Sequence, residues 1–152
     1  MKERIQSDIK EALKAGEEIK VGTLRMVLAF LINKEKDLPA GRQGRELSDE
    51  EAMDVLQTEA KKRREAIEAF EKGGRPELAE KEKKELEILK EYLPEQLSEE
   101  EIEKFVTQAI EKTGAASMQD IGKVMGALMP HIKGKADGNL VNRIVKEKLA
   151  GE

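Results

Sequence analysis

Cysteine and tryptophan are missing from this 152-residue chain, and a single tyrosine and a single histidine accompany three phenylalanines. Without thiols there is no disulfide frame, no thiolate metal site and no sulfur nucleophile. So few rings exclude the aromatic platform on which the common single-strand-binding folds stack bases. His131 has no second His or Cys to share a metal with, and no Gly-x-Ser-x-Gly elbow presents a serine. Beside Pro130 it reads as a surface residue or a helix-end cation rather than a general base. The carboxylates are many, but they fall in capping boxes and on solvated helix faces, so no pair of them is singled out for acid/base work. The expectation is therefore no catalytic constellation, no metal and no cofactor. No apolar run is long enough to span a bilayer, and the opening MKERIQSDIKEALK is amphipathic and of mixed charge, unlike a signal peptide. These absences lead to the expectation of a cytoplasmic protein without a membrane partner.

What the chain does have is charge and helical periodicity. Charged residues make up 39% and hydrophobic ones 38%, the balance of a helix-rich fold with a sizeable core. The net charge of -4 is unevenly spread: Lys and Arg number 20 against 22 Asp and Glu over residues 1–92, 2 against 6 over 93–114, and 6 against 4 over 115–152. Only the last stretch is net basic, and phosphate contacts need a local basic face rather than a basic total, since they act within about 8 Å.

Taken in order, Ile5, Ile9, Ala12 and Leu13 predict a first helix ending near Gly16. A second, over about Glu17–Lys36, is apolar almost all round, the pattern of a helix packed on several sides. Leu38–Leu47 (LPAGRQGREL) reads as an exposed loop. Ser48-Asp49-Glu50-Glu51 is a capping box opening a third helix that stops at Gly73-Gly74. Within it, Lys61-Lys62-Arg63-Arg64 is interleaved with Glu59, Glu65 and Glu68, which favours local ion pairing. A fourth helix starts at Arg75-Pro76-Glu77 and carries Leu78, Leu86, Leu89 and Leu93. Pro94, followed by a second capping box at Ser98-Glu99-Glu100-Glu101, marks a boundary. The predicted architecture is all-α: a four-helix N-terminal domain over residues 1–93 and a three-helix C-terminal domain over 94–152.

The C-terminal domain holds the candidate site. Ile121, Val124, Met125, Leu128 and Met129 form one apolar stripe, leaving Gly122, Lys123 and Gly126 elsewhere on that helix. One turn apart, the two glycines permit a close approach, either by another helix of the same domain or by an RNA backbone. In the next helix Leu140, Val141, Ile144 and Val145 bury one side, while Asn139, Asn142, Arg143 and Lys146 share another. Lys133-Gly134-Lys135 makes a tight basic turn between them, with Gly134 as a left-handed cap and Asp137 as an N-cap. The turn lacks phosphate-loop spacing and follows no strand. Lys123, Lys133, Lys135, Arg143 and Lys146 are the candidate phosphate contacts, and Asn139 and Asn142 the candidates for sugar hydroxyls or bases.

Thr23-Leu24-Arg25-Met26, Arg63–Phe70 (RREAIEAF), Glu91–Leu97 (EYLPEQL), Asp120–Gly126 (DIGKVMG) and Lys133–Gly138 (KGKADG) together resemble the YqeY family. The C-terminal part resembles the tail domain of the B subunit of a tRNA-dependent amidotransferase. A related module is attached to a glutaminyl-tRNA synthetase. The loop LPAGRQGR departs from the family pattern. The resemblance implies a small helical domain that contacts tRNA, with amidotransferase subunits or an aminoacyl-tRNA synthetase as further partners. It does not bring a reaction with it, because amide transfer belongs to a kinase-like core and an amidase subunit that this short helical chain does not contain. The leading expectation is a non-catalytic tRNA-binding accessory protein. The alternatives are a protein-interaction adaptor without RNA binding and, implied only by the resemblance, a carbon-nitrogen ligase using glutamine as amido donor.

Overall fold

The computed structural model describes residues 1–151, and among them the secondary structure is helical throughout, without a strand. Seven α-helices are arranged in two compact units, Met1–Leu93 and Pro94–Glu152. No described helix is long and apolar enough to cross a membrane.

The first unit contains α1 (Lys2–Ala15), α2 (Glu18–Lys36), α3 (Asp49–Lys72) and α4 (Pro76–Lys90). Gly16 ends α1 at φ 73, a left-handed conformation that costs a residue with a Cβ about 1–2 kcal/mol. Ser48 and Glu51 close the predicted capping box, and Pro76 takes the first position of α4, where its missing N–H would have been unpaired anyway. Ile5, Leu24, Val27, Leu31, Leu56 and Leu89 are fully buried together. Leu93 lies beyond the end of α4 rather than in it, yet it is buried in the same core with Tyr92. The Tyr92 hydroxyl donates to Asp8 on α1, and the Arg4 guanidinium lies 4.6 Å from the ring centre, so the end of α4 is fastened to α1.

Three sequence expectations change here. Leu13 falls off the stripe of α1 and is half exposed, because Ala12 already occupies the buried position. The loop after α2 is pinned at both ends and in its middle. Leu38 is buried, Leu47 donates its N–H to Glu35, and Arg42 makes a two-pronged pair with Glu51 at 2.5 and 2.8 Å. The basic run of α3 does pair locally, Lys62 with Glu59 at 2.9 Å, but Arg63 is buried and also faces Glu85 of α4 at 3.4 Å. Arg63 and Glu85 stand equally far from Gly74 along the chain, as an antiparallel hairpin requires.

The second unit contains α5 (Glu99–Thr113), α6 (Ile121–Ile132) and α7 (Gly138–Leu149) around Ile102, Val106, Val124, Leu128, Ile132, Val141, Ile144 and Val145. Ser98 and Glu101 form its capping box, and Gly114 ends α5 at φ 66. The helix α6 continues through Pro130, so its stripe extends from Leu128 to Ile132, four residues on, and Met129 is left outside it, 41% exposed.

Candidate nucleic-acid interface

The unit folds around the apolar sides of α6 and α7, and this decides what their other sides can do. On α7 a step of 100° per residue places Asn139, Arg143 and Lys146 opposite the buried Val141, Ile144 and Val145, with Asn142 half-buried at the margin. On α6 the same step places Lys123 and Gly126 away from Val124 and Leu128, and Gly122 at the side. The predicted residues thus fall into two groups, one on the outer side of each helix, joined by the turn that carries Lys133 and Lys135.

The turn is held from below. Gly134 adopts φ 81, and its carbonyl accepts from the Gln96 side-chain amide at 3.0 Å. The Lys135 carbonyl accepts from the Leu97 N–H at 2.7 Å, and the Lys135 N–H donates to Ile132. The same Gln96 amide also donates to the Pro94 carbonyl at 2.8 Å. Two electronegative atoms of the turn are therefore engaged internally, while the Lys135 side chain is exposed. Asp137 caps α7 by accepting the Asn139 N–H at 3.0 Å, so the helix N-terminus already has one carboxylate on its donors.

Carboxylates stand beside Lys123 and Arg143. Asp120 lies 3.9 Å from Lys123, which nonetheless remains 73% exposed. The Ala116 N–H, donated at 3.0 Å, is the main cause holding the Asp120 carboxyl below its ordinary range, and Lys123 adds to it. Arg143 is more strongly claimed. Its Nη2 donates to Glu99 of α5 at 3.0 Å, and its Nε lies 3.8 Å from Glu147. The residue that sequence reasoning missed is Glu99, read there only as part of a cap. Its neighbour across the fold is 44 positions away, so no local pattern announces the contact.

The glycines of α6 overturn one expectation. A Cβ built on Gly122 or Gly126 would meet nothing within 4 Å, so no helix of the unit packs closely there. Glycine inside a helix costs about 1 kcal/mol relative to alanine, and internal packing does not account for either residue. Pro130 has no N–H for the carbonyl four residues before it, which belongs to Gly126, so the backbone at that bare position lacks its usual helical donor. His131, exposed next to Pro130, stacks on Phe105 with ring centres 5.9 Å apart. Among the described residues no group of three or more His, Cys, Asp or Glu is placed to hold a metal ion.

The family of the Yqey-like protein matches residues 2–149, and the chain belongs to that family. Along nearly its whole length it is similar to the "Altered inheritance of mitochondria protein 41, mitochondrial" of Pyrenophora tritici-repentis, with 30% identity over 98% of this chain and 81% of the relative. The protein of that name from Lachancea thermotolerans is 34% identical over 59% of this chain and 46% of its own length. A shorter likeness, 42% identity over 57 residues, is to the E subunit of the glutamyl-tRNA(Gln) amidotransferase of Methanobrevibacter smithii, and covers 35% of this chain but 9% of that much longer relative. These names overturn the cytoplasmic placement, since the relatives are themselves designated mitochondrial. The physical reason is that a chain without thiols is indifferent to the redox poise around it, so its lack of cysteine indicates no compartment.

Proposed function

We propose that this protein is a non-catalytic accessory of tRNA metabolism that contacts structured RNA, tRNA foremost, through the outer sides of α6 and α7 and the turn between them. Lys123, Lys133, Lys135, Arg143 and Lys146 meet phosphates, and Asn139 and Asn142 reach sugar hydroxyls or base edges. Contacts of this kind fit a fold to the shape of folded RNA and read little sequence. The observation that carries the reading is the bare side of α6. Two helical glycines stand open to solvent next to an exposed lysine, in the one net-basic stretch of the chain. The Gly126 carbonyl, deprived of a donor by Pro130, suits a 2′-hydroxyl. The likeness to part of an amidotransferase supports a place beside a tRNA amidotransferase or an aminoacyl-tRNA synthetase.

The test is tRNA binding by fluorescence anisotropy across a salt series. Five phosphate contacts give a log-log slope of roughly -3.5 to -4.5 by counterion release. Lys123→Glu and Lys135→Glu each weaken binding and flatten the slope. Binding that ignores salt, or that survives both changes, removes the hairpin as the contact. A stable complex with a synthetase or amidotransferase and no RNA affinity favours the adaptor reading, for which exposed Met118 and Met129 supply apolar surface.

A further inference from the structure

The helix α2 packs against α1, α3 and α4 and buries Val21, Thr23, Leu24, Val27 and Leu31. Its other side carries Ile19, Gly22, Met26, Ala29 and Asn33, spaced by 3, 4, 3 and 4 residues, the repeat of a coiled-coil seam. A solvated helix face ordinarily carries charge, and none of these five residues does. Ile19 is 45% exposed and Met26 39%, the Met26 sulfur accepting from Arg63 of α3 at 3.4 Å from beneath. Large and small residues alternate along the seam, and a Cβ on Gly22 would meet nothing within 4 Å, so the backbone is bare where a second helix would pack most closely. Beside Gly22 a groove of about 410 Å³ lies between α1 and α2, lined by Ala12, Leu13, Val21 and Arg25.

The ends of the helix indicate what covers this face. Glu17 and Glu18 stand at its N-terminus, and Lys34 and Lys36 in its last turn. A partner helix must therefore present a basic end to the first and an acidic end to the second. Laid antiparallel, a second α2 does both, and the opposed helix dipoles agree with that arrangement. We propose that the outer side of α2 is a homodimer interface, in which two copies pair their α2 helices antiparallel about a two-fold axis close to Met26. Gly22 and Ala29 of one copy receive the larger side chains of the other. Glu18 of each copy lies near Lys36 of its mate, and Leu13 adds apolar surface at the edge. An interface built on one helix pair is small, so association falls in roughly the micromolar range.

Sedimentation velocity of the full chain from about 1 to 500 μM reads this directly, because those concentrations bracket the expected association. The wild type shifts from monomer to dimer across the series. Met26→Glu sets two carboxylates against each other at the axis and weakens association at least about tenfold. Glu18→Lys weakens it as well, and adding Lys36→Glu restores it, a rescue that only antiparallel self-pairing gives. Met26→Cys supplies the chain's sole thiol and yields a disulfide-linked dimer on mild oxidation. Glu18 and Lys36 are exposed and Met26 is in part, its sulfur resting on Arg63, so circular dichroism and urea unfolding of each variant check that the fold is kept. A monomer at every concentration with no cross-link overturns the proposal. So does a dimer indifferent to Met26→Glu, which would place the contact on another face.

Discussion

Arg143 of α7 and Glu99 of α5 are joined by a hydrogen bond of 3.0 Å across the second unit, with both side chains more than half exposed. A phosphate arriving at Arg143 must displace or share this carboxylate. An exposed pair of this kind is worth up to about 1 kcal/mol. Glu99→Gln therefore tightens tRNA binding by up to about fivefold at constant salt, measured by anisotropy. Unchanged or weaker binding would take Arg143 out of the contact.

The glycines of α6 separate stability from binding. Gly126→Ala fills open space in a helix and raises stability by about 1 kcal/mol, seen as a higher urea midpoint. Gly126→Leu keeps the fold, yet its side chain stands where, on the proposed reading, the RNA backbone approaches. Affinity falls at least about threefold, about the effect of losing one neutral hydrogen bond. If the leucine variant binds like the wild type, α6 offers only its lysine.

In the first unit, Arg63 stands between two carboxylates, Glu59 at 3.3 Å and Glu85 at 3.4 Å, and all three residues are buried. Removing the cation leaves two buried acids without their common partner. Arg63→Ala costs about 3–5 kcal/mol in urea unfolding, the range for breaking a buried pair from one side. A loss under about 1 kcal/mol, the size of an exposed pair, would show that water reaches the site.

Glu51 gives a pH signature. It accepts two bonds from Arg42 and one from the Ser48 N–H, and these hold its carboxyl down from the ordinary 4.5 to about 2. A carboxyl depressed in the folded state adds stability that is fully present above its unfolded pKa and is lost as pH falls toward the folded one. The difference in melting temperature between wild type and Glu51→Gln is thus constant above about pH 5, narrows below 4.5 and nears zero at about 2. A difference that stays flat over this window would mean that the Arg42 fork opens in solution.

Helix ends were legible because their chemistry is local. Ser48 with Glu51 and Ser98 with Glu101 announce caps, and Gly16 and Gly114 announce stops, within four residues of the feature they create. What stayed hidden depends on distant partners. The burial of Arg63 needs Glu85 on another helix, and periodicity sees only Glu59 beside it. An all-round apolar α2 reads as enclosed, but whether Ile19 meets a neighbour depends on how many helices the fold supplies. For the candidate site, spacing placed Asn139, Arg143 and Lys146 on one side of α7. It could not bring Glu99 to that side, nor show that no helix covers Gly122 and Gly126.

The turn between α6 and α7 has a last consequence. Gln96 and Leu97 fix the carbonyls of Gly134 and Lys135, so the backbone of this segment loses its conformational entropy when the chain folds rather than when a ligand arrives. On the proposed reading, an incoming polyanion finds the backbone of the loop already in shape, so little of the binding free energy goes into ordering it.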